Sequence, residues 1–274
     1  MKGNWGDKMV EPFKHESLRQ IRCFQDHKSL VAGVTTRQGG HSSKPFDSLN
    51  MGLHVPDQGE HVINNRQELA DELRIPLEDW VIGEQVHGTE VHVVTRADKG
   101  KGVRSHDTAV ADVDGLITNE KDVLLGAFYA DCVPLLFVDP HAGWVGIAHA
   151  GWKGTVGDMA GEMIRQLVHQ GCKRTDIEMV IGPCISQNHY KVDQKVIDQI
   201  PESQRSLTVT DLGAGQFLLD LKKLNERFAV QAGLAESQIK QTRFCTYEKE
   251  ELFFSHRRDQ GKTGRMLGFI GWKS

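Results

Sequence analysis

The chain has 274 residues, 39% hydrophobic and 26% charged, with a formal net charge of -4. That is the composition of a globular protein long enough for a full core, and its slight acidity gives no support to broad binding of nucleic acid or anionic membranes. No run of about 18 apolar residues could span a bilayer, and the opening MKGNWGDKMVEPFKHESLRQ lacks the apolar stretch of a secretory leader.

Leu30 to Thr36 (LVAGVTT) predicts a strand that runs into the turn RQGGHSS. Val62 to Leu73 predicts a helix, and Trp80 to Val94 two short strands around His87 and Gly88. Ala97 to Val110 is polar and glycine-containing, a loop too short to require a domain boundary. DVLLGAFYADC, PLLFVDP and WVGIAHAG are apolar runs between turn residues, hence buried strands. From Val156 to Val168 apolar residues recur at helical spacing, with Thr155 as the expected N-cap and Asp158 assisting. Ile177 to Ile185 predicts a further strand. Phe217, Leu221, Leu224 and Phe228 mark a later helix, and IKQTRFCTY and GRMLGFIGW are closing strands. Helices and strands mix without strict alternation, so the expected class is α+β.

Several residues carry chemistry. Cys132 and His149 lie at the ends of buried strands, and His87 sits in QVHGTEV. One thiolate and two imidazoles can hold zinc with a fourth position open. Cys132 and His149 could instead form a nucleophile pair, or all three could be structural. AGWKG, after His149, is a glycine-rich turn bearing Lys153, suited to an anion; the plain alternative is a solvated lysine. Arg37, after the first strand, and Arg258, in the basic stretch SHRRDQGKTGR, could also reach a phosphate. Asp112 and Asp114 read as turn-formers, and Cys184 as a buried thiol. The five cysteines are odd in number and scattered, as expected of reduced cytoplasmic thiols.

GVTTRQGGHSSKPFDSLNMGLHVPD, NNRQEL, EQVHGTEV, DVDGLIT, ADCVPLLFVD, GIAHAGWKGT, IGPCI and FFSHRRDQGKTGRM follow one another in order. Together they resemble the laccase-domain purine nucleoside phosphorylases, long described as multicopper polyphenol oxidases. The resemblance covers about residues 30 to 272 and leaves residues 1 to 20 outside it. It implies one α+β domain, residues 1–274, with mixed β-sheets flanked by helices. It also implies a metal on His87, Cys132 and His149, zinc with copper as the alternative. The implied activity is phosphorolysis of adenosine, inosine and methylthioadenosine, with adenosine deamination beside it. Lys153, Arg37 and Arg258 are the candidates to hold phosphate. The implied partners are small molecules, nucleoside and phosphate, with no nucleic acid and no membrane.

Three other readings remain. A copper oxidase of phenols of the laccase type needs many His-x-His pairs, and no two histidines here are separated by one residue. A cysteine amidohydrolase editing cell-wall precursors would use Cys132 as nucleophile and His149 as base. A non-catalytic metal-binding module would keep the ion and turn over nothing.

Overall fold

A computed structural model describes residues 10–274. Two mixed six-stranded sheets among them pack face to face. The first runs, in spatial order, Lys14–His15, Gln20–Arg22, Leu30–Thr35, Met266–Trp272, Leu124–Tyr129 and Trp80–Ile82. Its pairings are antiparallel except the last. The second runs Ile239–Gln241, Glu178–Ile181, Val133–Asp139, Trp144–Ala150, Gly115–Thr118 and Val91–Val93, with a parallel pair at each edge.

Alternation along each strand sorts the side chains between two faces. Ala32, Val34, Leu125, Ala127 and Ile270 of the first sheet meet Leu116, Leu136, Val138, Val145 and Ile147 of the second. The opposite faces are covered as well. Leu124, Phe128, Leu267 and Phe269 lie under the helix Gly59–Leu73, through its Leu69, Ala70 and Leu73. Val133, Leu135, Phe137 and Ala148 lie under the helices Met159–His169 and Leu221–Gln231. The result is four layers, helix, sheet, sheet and helices. Burial on both faces is why these strands read as continuous apolar runs.

The class α+β holds, and three local expectations are corrected. The helical stripe after Thr155 is two helices. Trp152–Val156 is capped by Gly151. Asp158 then takes a left-handed conformation (φ 66°) and caps Met159–His169, its carboxylate accepting from the Gly161 N–H. Thr155 lies inside the first of these, buried, and its hydroxyl accepts from Asn225. Phe217 belongs to a strand, Gln216–Leu219, and the helix starts at Leu221 behind its cap Asp220. That strand forms a small third sheet with Lys191–Asp193 and Val209–Gly213. IKQTRFCTY contributes only Ile239–Gln241 as strand.

Candidate metal centre

The strands Val133–Asp139 and Trp144–Ala150 form one hairpin, with Val133 opposite Ala150 and Pro134 opposite His149 at its open end. The alternation that turns Val145 and Ile147 into the space between the sheets turns His149 there too. Cys132, just before the hairpin, falls on the same face. His87 arrives from the loop between Trp80–Ile82 and Val91–Val93, in a left-handed conformation (φ 62°). The ligand atoms of His87, Cys132 and His149 all lie within 4.8 Å of one another.

A buried carboxylate organises this cluster. Asp114 accepts His149 Nδ1 at 2.8 Å, which leaves Nε2 directed at the cluster. It also accepts the backbone N–H groups of Val86 (3.1 Å), His87 (3.1 Å) and Gly88 (2.7 Å). One side chain therefore orients one imidazole and pins the loop that carries another. Desolvation pushes the Asp114 carboxyl up, but the His149 contact and the loop N–H groups outweigh it and hold the pKa below the usual range. Burial likewise pushes the Cys132 thiol up, and the charge and hydrogen bonds of His149 and His87 more than reverse this, bringing it down to about 6. Burial lowers His149, while the Cys132 thiolate and Asp114 raise it further. A thiolate beside two imidazoles is a donor set for zinc or copper, and an ion there would be held by the sulfur and the two ring nitrogens.

Space for the cluster depends on Gly151. A Cβ at that position would stand 2.9 Å from His87 Cδ2 and 3.2 Å from Cys132 Sγ. Asp131, strained at φ 81°, is a second buried carboxylate. It accepts the hydroxyls of Thr246 (2.6 Å) and Ser255 (3.0 Å) and the Arg257 N–H (2.7 Å), tying the basic 255–258 turn to the residue beside Cys132. Gln85 brackets Phe128, its amide oxygen accepting the Phe128 N–H at 2.7 Å and its NH₂ donating to the Phe128 carbonyl at 2.9 Å.

The cluster opens onto a cavity of about 610 Å³ walled by Phe128, Trp152 and Tyr190 and carrying Lys153, Arg257 and Arg265. Lys153 is exposed, stands 5.9 Å over the Trp152 ring, and makes no ion pair among the described residues. Arg257 lies over Tyr190 and donates to the Lys191 carbonyl.

A family profile described as multi-copper polyphenol oxidoreductase laccase matches residues 31–273. The chain belongs to that family. It is 48% identical over 256 residues to a Bacillus subtilis protein named purine nucleoside phosphorylase YlmD, covering 91% of each chain. It resembles the crystal structure of YlmD from Geobacillus stearothermophilus, with a TM-score of 0.93 and 46% identity, over 97% of this chain and 100% of that one. The Bacillus licheniformis hypothetical protein YfiH gives a TM-score of 0.94 at 42% identity, over 96% and 100%.

In this member of the laccase family, His87, Cys132, His149 and Lys153 share one cavity. Arg37 and Arg258 do not join them. The Arg37 guanidinium donates to the Asp47 and Glu250 carbonyls, stacks on Phe254, and lines a different cavity. Arg258 is spent on Asp259 and on the carbonyls of Thr246, Tyr247 and Phe253. Its neighbour Arg257 faces the cluster instead. The sequence reading missed Asp114 and Asp131 as organisers, and Arg257, Arg265 and His54 as lining. The signal available for Asp114 was its place directly before a buried strand, where a carboxylate can reach back to a loop.

Proposed function

We propose that this protein cleaves purine nucleosides with inorganic phosphate, and that it also deaminates adenosine. Adenosine, inosine and methylthioadenosine are the substrates assigned, giving free base and ribose 1-phosphate or its methylthio analogue. The observation that carries the reading is Lys153, without an ion pair among the described residues, in the same aromatic-walled cavity as a His–Cys–His cluster. The 48% identity to a relative named purine nucleoside phosphorylase supports it.

Zinc is the ion we assign to His87, Cys132 and His149, and when bound it supplies Lewis acidity at the cavity floor. The remaining work falls to the chain. Lys153 holds phosphate, and Arg257 and Arg265 add positive potential where negative charge develops. Trp152 and Tyr190, both partly exposed in the cavity, offer aromatic surface to a purine. Asp114 fixes the His149 tautomer, and Gly151 keeps the floor clear. Deamination of adenosine draws on water and leaves the phosphate position idle. A cytoplasmic location belongs to the same reading, supported by five free thiols; no helix among the described residues is long and apolar enough to cross a membrane.

The test is incubation of the zinc-loaded protein with adenosine and phosphate, followed by chromatography for adenine, ribose 1-phosphate and inosine. Release of neither base nor inosine, with oxidation of phenols in the absence of added copper, would replace this reading by the copper oxidase. A second reading follows from the lowered Cys132 pKa beside His149, the pairing a cysteine amidohydrolase needs. Full amide hydrolysis by metal-free protein would establish it.

A further inference from the structure

Phosphorolysis leaves one role without a residue. As the C1′–O bond to phosphate forms and the C1′–N9 bond breaks, the bonding pair passes to the purine. The proton of hydrogen phosphate finally resides on the released base. A group that hydrogen-bonds the base while its charge develops lowers that barrier. We propose that His54 is that group, donating to the imidazole half of the leaving purine; the proposal rests on the phosphorylase reading.

His54 lines the cavity together with the metal cluster. Its ring stands 5.4 Å from that of Phe128, and neither ring nitrogen has a hydrogen-bond partner among the described residues. The segment that presents it is held firmly. Asn50 donates to the Gly52 carbonyl and to Asp57, and its own side-chain oxygen accepts the N–H groups of Gly52 and Arg265. Asn65 donates to the Asn50 carbonyl, and the buried Arg66 donates to that of Met51. A Cβ at Gly52 would come within 2.9 Å of Arg265 Cγ and 3.0 Å of His54 Cε1, so this glycine makes room for both side chains. Phe128 is fixed by Gln85 on its backbone and by the Arg66 guanidinium 5.0 Å from its ring. The imidazole is therefore presented to the cavity by a fixed segment and rests against a fixed, buried ring.

The other imidazoles of the cavity are placed differently. His87 and His149 belong to the cluster. His106, its ring 6.1 Å from that of His54, faces Glu84 at 4.0 Å, and His256, exposed like His54, lies close against Gly261. Desolvation, and then the Arg265 guanidinium, push the His54 imidazole well below the usual histidine range. A neutral imidazole donates through one nitrogen without carrying charge.

The test compares inosine with 7-methylinosine, whose base already carries its positive charge and leaves neutral without a donor. Zinc-loaded wild type should phosphorolyse both. His54→Leu should lose about 10²-fold in kcat on inosine and less than about threefold on 7-methylinosine. His54→Asn, which keeps one N–H donor, should recover part of the inosine rate. Thermal melting of each variant checks the fold. Equal losses on both substrates, or no loss on inosine, would overturn the proposal. So would a wild type that cleaves inosine but not 7-methylinosine. A wild type inactive on both removes the phosphorylase reading itself, and His54 with it.

Discussion

Two cavities of this molecule invite comparison. The larger, about 860 Å³, is lined by Arg37, Lys44, Asp47, Glu250, Glu251, Asp259 and Lys262. The smaller, about 610 Å³, holds the His87–Cys132–His149 cluster. The larger is rich in charge of both signs, and its best-fixed groups are spent on the fold: Arg37 on carbonyls and Asp259 on Arg258 and Thr263. In the smaller, buried carboxylates hold the functional groups in place while Lys153 makes no ion pair among the described residues. Preorganised and uncommitted groups, rather than volume or charge count, mark the site.

The comparison breaks most readily at Cys132. Cys132→Ala should take zinc from near one per chain to background and cut inosine phosphorolysis by about 10³-fold, read by elemental analysis and product chromatography. Asp114→Asn keeps the shape but loses the charge behind His149. Zinc affinity should fall about 10- to 100-fold in chelator competition. Lys153→Ala should raise the phosphate KM about 10- to 150-fold, with zinc content unchanged and adenosine deamination much less affected. Equal loss of both activities would make Lys153 a nucleoside contact instead.

The larger cavity should behave as structure. Arg37→Ala should cost about 1–2 kcal/mol of stability through its lost hydrogen bonds and leave the phosphate KM alone. A raised KM would join the two cavities functionally. The smallest effect concerns Asp259. Desolvation raises its pKa, but Arg258, Thr263 and the Ser255 N–H outweigh that and hold it below the usual carboxylate range. A depressed folded-state pKa contributes stability above the unfolded value of about 4 and loses it as pH falls further. The melting difference between wild type and Asp259→Asn should therefore be present at pH 7 and shrink toward pH 3.

The buried strands were legible because burial on both faces gives unbroken apolar runs, and the motif order carried the three ligand candidates. The small third sheet was not. Its strand Val209–Gly213 is mostly exposed, and two adjacent helices are of five and seven residues, too short to leave a periodic signature. Asp114 read as a turn residue because its partners, the 86–88 loop and His149, lie 26 or more positions away. Arg37 and Arg258 share the glycine-rich surroundings of an anion site. Only the tertiary contacts reveal that carbonyls and Asp259 already occupy them.

The hairpin origin of Cys132 and His149 has a consequence for assembly. These two ligands stand at the open end of a single local element, the kind that zips early because little chain must be closed. His87 lies 45 positions before Cys132, on a loop held to Asp114 by its backbone N–H groups. An ion held by all three residues would therefore clasp the hairpin to this loop. Stripping it should unfasten the 84–90 loop and speed amide hydrogen exchange there, while the hairpin strands keep their protection.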